Sequence, residues 1–174
     1  MSGLEHLWAG WRQSYVAGWA DADATGPVSG EGGLSLFESI EQADIPDDES
    51  FIVHRGATCF VLMNAYPYSS GHMLVLPRRA VAALGDLTEE EYGELWGTVR
   101  TAVVALKEGL SPQGVNVGLN LGRAAGAGIE GHLHVHVVPR WSGDTNFTTT
   151  TAGTRVLPEA LGETWHRLRS VWPD

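Results

Sequence analysis

Cysteine is almost absent: Cys59 is the one thiol in 174 residues. A single thiol excludes an internal disulfide framework and any zinc module built from four cysteines. Long apolar runs are missing as well. No stretch approaches the roughly 20 apolar residues of a membrane-spanning helix, so no membrane partner is expected. Basic charge is scarce, with 11 Lys and Arg against 21 Asp and Glu and a net charge of −10. The deficit is uneven. Residues 1–50 hold ten acidic residues against Arg12, a net of −9, whereas residues 51–174 are nearly neutral. Non-specific nucleic-acid binding needs a basic footprint, which this chain lacks, so no nucleic-acid partner is expected. The opening residues, MSGLEHLW, show no basic region before an apolar stretch, which predicts a cytoplasmic protein without a secretory signal.

The length fits one folded domain. Residues 1–50 read as an acidic N-terminal extension of helix and linker, and residues 51–174 as the domain proper. Leu4, Leu7, Trp8, Trp11, Tyr15, Val16 and Trp19 recur at helical spacing, which predicts an amphipathic helix over about 4–19. Its polar face carries only Arg12, so it suits packing on the domain or a partner subunit better than a membrane surface. Residues 21–33 form a Gly- and Asp-rich linker, and 44–50 an acidic turn. Runs at 51–55 and 58–63 read as a hairpin, followed by a loop over 64–71 and a strand over 73–76 that Pro77 stops. Thr88 and Glu91 form a capping box ahead of a long helix reaching about residue 107. A strand over 115–121, a loop over 122–131 and a strand over 132–138 stopped by Pro139 come next. The threonine run 148–151 reads as strand or loop, and a terminal helix runs from 158 to about 171. Several strands around one long helix predict an α+β domain with an antiparallel sheet.

The most informative stretch is GHLHVHVVPRW, residues 131–141. Side chains alternate across a strand, so His132, His134 and His136 share one face, while Leu133, Val135 and Val137 share the other. Three readings compete: histidines that satisfy one another, a metal site, or phosphate chemistry with one neutral imidazole as nucleophile. The loop just upstream, NLGRAAGAGIEG, favours the third. Residues 122–131 hold four glycines and three alanines, and glycines allow turns whose N–H groups point at an anion. Arg123 adds charge there or is merely solvated.

The string HLHVHVV resembles the signature of the histidine triad (HIT) family, His-φ-His-φ-His-φ-φ with φ apolar. NAYPYSSGHMLVLP over 64–77 is similar to that family's nucleotide-binding strand–loop–strand. NLGRAAGAGIEGHLHVHVVPRW followed by GDTNF resembles the branch of diadenosine tetraphosphate phosphorylases, and the likeness covers about residues 51–158. The resemblance implies a HIT-like antiparallel sheet with a long flanking helix and a C-terminal helix, in a homodimer. It implies an enzyme that cleaves a purine nucleotide or dinucleoside polyphosphate at the α-phosphate. His134 would be the nucleophile and form a nucleotidyl-histidine, while His132 and His136 would flank the phosphate. Asn120 would lie near the α-phosphate, with N–H groups of Gly126, Ala127, Gly128 and Ile129 around its oxygens. Asn64 would contact the ribose, and Leu62 and Leu74 would wall the base pocket or simply be core. Trp141 would stack on a base or pack at the domain edge. His72 reads as structural, and His6, His54 and His166 as ordinary.

Two departures from the family stand out. Many members of the branch bind a structural zinc through Cys-x-x-Cys, a later histidine and the first triad histidine. The matching positions here are Ser35, Glu38, Ala80 and His132, which predicts no structural zinc and no cofactor requirement. Many members also carry a hydroxyl residue in the loop before the triad, where this chain has Ala127 and Gly128. Two alternatives to the polyphosphate-cleaving enzyme therefore stay open: a purine nucleoside phosphoramidase, and a nucleotide-binding protein with weak catalysis.

Overall fold

The computed structural model describes residues 33–144, 157 and 159–173, with the backbone of two short strands besides. In chain order the elements are β1 (Glu5–His6), α1 (Leu36–Gln42), α2 (Asp47–Ser50), β2 (Ile52–Arg55), β3 (Cys59–Met63) and β4 (Met73–Pro77). Then follow α3 (Glu89–Leu110), β5 (Gly114–Leu119), β6 (Val135–Arg140), β7 (Thr154–Arg155) and α4 (Leu161–Ser170). The expected helix over 4–19 lies outside the described residues except at Glu5–His6, which pair with β7 as strand. Residues 21–32 and 148–151 also lie outside them.

Five strands make one antiparallel sheet in the order β2-β3-β4-β6-β5. The α+β class follows from the helices packed on it. Strand alternation sorts the apolar residues into two layers. Val61, Met63, Val75, Val135 and Val137 face α3 and α4 and join Leu95, Ala102, Leu106 and Leu168 in the main core. Phe60, Leu62, Leu74 and Leu76 face the other way, against Phe37 of α1. Val61 pairs with Val75, and Leu62 pairs with Leu74, which itself pairs with His136. The histidine face of β6 therefore continues the second, smaller apolar layer.

The long helix α3 begins as expected. Thr88 caps Glu91 N–H, and the Glu91 side chain accepts from Thr88 N–H. Two strand boundaries differ from expectation. Pro77 is itself the last residue of β4, one beyond the expected end, and Pro139 lies inside β6 rather than stopping it. Each sits past the end of the β4–β6 ladder, which joins only Met73–Val75 to Val135–Val137, so its missing N–H breaks no bond there. Strand β6 begins at Val135, not at residue 132. His132 and His134 lie on the segment entering it, and Leu133 N–H donates to Val81 O at 2.7 Å.

The segment before the hairpin packs onto the sheet. The expected acidic turn over 44–50 contains the one-turn helix α2. The preceding helix α1 was not expected; it carries a capping box of its own, Ser35 with Glu38. Its far end is tied down by Glu41, which is buried and paired with Arg55 at 3.1 Å and Arg78 at 2.7 Å.

Candidate active site

The three histidines have distinct surroundings. His132 is fully buried. Its Nε2 lies 2.8 Å from Pro77 O and its Nδ1 2.7 Å from Ser35 Oγ. A carbonyl only accepts, so Nε2 carries the proton and the Ser35 hydroxyl donates to Nδ1. Both ring nitrogens are thus used within the protein. The expectation that His132 flanks a phosphate is not matched by this geometry, because the ring lines neither cavity beside the triad.

His134 has Nδ1 2.8 Å from the carbonyl of His132. By the same logic Nδ1 bears the hydrogen and Nε2 keeps the lone pair. Phe37 meets this ring and that of His132 edge-on, each at 5.3 Å between centroids. Burial lowers the His134 pKa below the ordinary value, and the hydrogen bond to His132 O offsets this only in part. The ring is therefore neutral at pH 7, the form a nucleophile requires.

His136 is set by His72, a residue read from sequence as merely structural. Tyr68 N–H donates to His72 Nδ1 at 3.1 Å, which places the His72 proton on Nε2. That Nε2 lies 3.0 Å from His136 Nδ1 and donates to it. His136 then carries its own proton on Nε2, a buried atom with no partner among the described residues. Burial, with the nearby His134 adding to it, pushes the His136 pKa down to about 4.

A cavity of about 410 Å³ opens beside these rings, in the size range of small-molecule sites. Leu62, Leu74, Ile129, Phe37 and Ile40 make its apolar side, and Asn64, Asn120, Gly126, Gly128, His134 and His136 its polar side. Tyr66 and Tyr68 stand at its rim, both half-exposed. A second cavity of the same volume adjoins it along β5 and shares Tyr68, Asn120 and His136. Most of the expected site residues thus come together.

Besides His132, some do not come together there. Arg123, read as adding charge or merely solvated, is largely exposed and pairs with Glu130 at 2.7 Å. Trp141 lines neither cavity. The loop's N–H groups are partly spent: Gly126 N–H donates to Arg123 O and Ala127 N–H to Gly122 O. The tight turn imposes this: Gly126 adopts φ +91°, and Asn120 Nδ2 holds its carbonyl at 3.3 Å. Only the N–H groups of Gly128 and Ile129, of the four expected, remain to meet an anion. The side chains missed in the sequence are Ser35, Phe37, Ile40, Tyr66, Tyr68 and His72. His72 had a signal, since His72, Leu74 and Leu76 alternate onto the triad's face.

A sheet that sets alternating histidines beside a nucleotide-sized cavity, with a glycine turn at its edge, defines a histidine-triad protein. The chain belongs to that family: residues 46–143 match the HIT domain. It is 40% identical over 172 residues to the AP-4-A phosphorylase of Mycobacterium tuberculosis H37Rv, covering 97% of this chain and 85% of that one. It is 35% identical over 95 residues to the asymmetrical bis(5'-nucleosyl)-tetraphosphatase of Schizosaccharomyces pombe, covering 55% of this chain and 52% of that enzyme. Among solved structures it matches a zinc-bound histidine triad family protein from Mycobacterium smegmatis with a TM-score of 0.63 at 28% identity, covering 78% of this chain and 90% of that one.

Proposed function

We propose that the protein cleaves a dinucleoside polyphosphate of the diadenosine tetraphosphate kind at an α-phosphate, through a nucleotidyl intermediate on His134. The observation that carries this reading is the fixed tautomer of His134, proton on Nδ1 and lone pair on Nε2, beside the cavity. The likeness to AP-4-A phosphorylase along most of both chains supports the substrate class.

The base lies between Leu62, Leu74, Phe37 and Ile129, and the ribose reaches Asn64. His134 Nε2 attacks the α-phosphorus. The N–P bond forms as the bond from phosphorus to the bridging oxygen breaks, and the remaining polyphosphate leaves. Gly128 and Ile129 N–H, Asn120 and the His136 Nε2–H stabilise the charge on the phosphoryl oxygens. Inorganic phosphate or water then attacks the nucleotidyl-histidine, which releases the nucleotide and restores the imidazole. His132 acts from behind, its carbonyl orienting the nucleophile.

Chromatography of products from diadenosine tetraphosphate, with and without inorganic phosphate, tests this. ADP and ATP formed only with phosphate identify a phosphorylase, and AMP and ATP without it a hydrolase. His134→Ala is expected to lower turnover by at least about 10³-fold while nucleotide binding persists. Binding without any turnover in the wild type would contradict the proposal and favour a binding protein.

A homodimer is part of the same proposal. Its support is the outer edge of β5, with half-exposed Val117, and exposed Tyr92 and Val104 on α3. Light scattering checks it. No helix among the described residues is long and apolar enough to cross a membrane.

A further inference from the structure

The four positions that match the family's zinc ligands, Ser35, Glu38, Ala80 and His132, do meet in space, but their chemistry does not fit the ion. Ala80 has no ligand atom, and its N–H donates to Glu38 Oε1 at 2.9 Å. The other carboxylate oxygen of Glu38 accepts Ser35 N–H at 2.8 Å. Ser35 Oγ accepts Glu38 N–H at 3.1 Å and donates to His132 Nδ1 at 2.7 Å, and His132 Nε2–H closes on Pro77 O at 2.8 Å. Every side-chain polar atom in this set already has a hydrogen-bond partner of the correct sense. No group of three His, Cys, Asp or Glu able to hold a metal occurs among the described residues.

We propose that this Ser35–Glu38–Ala80–His132 clasp stands in for a structural metal and sets one wall of the nucleotide cavity, making Ser35 a positioning residue for the site. The clasp joins the start of α1 to the end of β4 and to the segment that carries His134. The wall residues Leu36, Phe37 and Ile40 follow directly from it along α1. Phe37 also packs edge-on against His134, so a shift of α1 moves both the base pocket and the nucleophile's neighbour. Burial alone would raise the Glu38 pKa, yet the Ser35 and Ala80 N–H bonds outweigh it and hold Glu38 below the ordinary carboxylate value. An ionised Glu38 is the acceptor that two N–H donors require.

Metal analysis of the untagged full chain, thermal unfolding with and without EDTA, and AMP binding by calorimetry test the clasp. The wild type is expected to hold no stoichiometric zinc and to melt at the same temperature with the chelator. Ser35→Ala is expected to melt earlier and to bind AMP about tenfold more weakly, the scale of one buried hydrogen bond. Ser35→Thr, which keeps the hydroxyl, is expected to recover most of both. The triple variant S35C/E38C/A80H rebuilds the ligand types around His132 and is expected to take up one zinc. Stoichiometric zinc in the wild type, melting that falls with EDTA, or S35A indistinguishable from wild type in both readouts would overturn the proposal. The effect on AMP rests on the nucleotide reading above, whereas the metal and melting readouts do not. A wild type that binds no AMP would contradict that reading, and the clasp would then be decided by metal content and melting alone.

Discussion

His72 decides where His136 holds its proton. Two hydrogen bonds of fixed sense, Tyr68 N–H to His72 and His72 to His136, leave the Nε2–H of His136 on the side away from His72. On the proposed mechanism that hydrogen would be the donor to a phosphoryl oxygen or a departing polyphosphate. His72→Ala removes the partner of His136 Nδ1 and frees the ring to take either tautomer. Steady-state kinetics across pH should show kcat lowered about 10–100-fold with little change in KM, together with an altered acid limb. A loss confined to KM would mean that His72 only shapes the pocket. At this scale much of the site was legible. HLHVHVV placed three histidines on one face, and Leu62, Leu74, Asn64, Asn120 and Ile129 all reach the cavity. The role of each imidazole was not legible, because a tautomer depends on distant partners such as Pro77, Ser35 and His72. Those partners are fixed by strand register and not by local sequence.

Among the elements, the strands and α3 followed from pattern, since alternation and a capping box are local signals. Helix α1 was missed although Ser35 and Glu38 repeat the Thr88 and Glu91 arrangement, because seven residues between a glycine-rich linker and an acidic turn carry too little periodicity to stand out. Its stability comes from burying Phe37 against the sheet and from Glu41 paired with two arginines. Phe37→Ala should destabilise the protein by about 3 kcal/mol in denaturant unfolding, the usual cost of a large core truncation. It should also weaken nucleotide binding, since the same ring walls the cavity. The turn before β4 offers a second check. Gly71 adopts φ +87°, and a Cβ there would clash with Leu110 Cδ1 of α3. Gly71→Ala combines a left-handed backbone with a steric overlap, and unfolding should show a loss of about 2 kcal/mol. Pro139 in β6 marks where reading by residue type fails: a proline ends a strand only if its N–H side is needed, and ladder length settles that.

Over the whole molecule, the three triad histidines are all held neutral by burial, with folded pKa values below the ordinary one. The unfolded chain binds these protons near pH 6.5 while the folded chain does not, so stability rises with pH through this window. Acidification from about pH 6.5 toward pH 4 should therefore weaken the fold progressively, as proton uptake favours the unfolded chain. Thermal melting across that range measures it; a melting temperature flat between pH 6.5 and 4 would mean the histidines are not buried neutral. On the proposed mechanism the same shift should extend turnover to more acidic pH than an unperturbed imidazole would permit, since burial lowers the His134 pKa. No Lys or Arg lines the cavity beside His134, so on the proposed reading a phosphate there would be met by neutral donors: backbone N–H, amide and imidazole.

The central claim is that His134 Nε2 becomes covalently bonded to the nucleotide. Rapid base quench of the enzyme turning over diadenosine tetraphosphate, followed by peptide mass spectrometry, reads this directly. A nucleotidyl mass increment on the peptide containing His134, absent from His134→Ala, is the predicted result. Turnover at full rate with no adduct on that peptide under any quench time, or an adduct on another residue, would contradict the account.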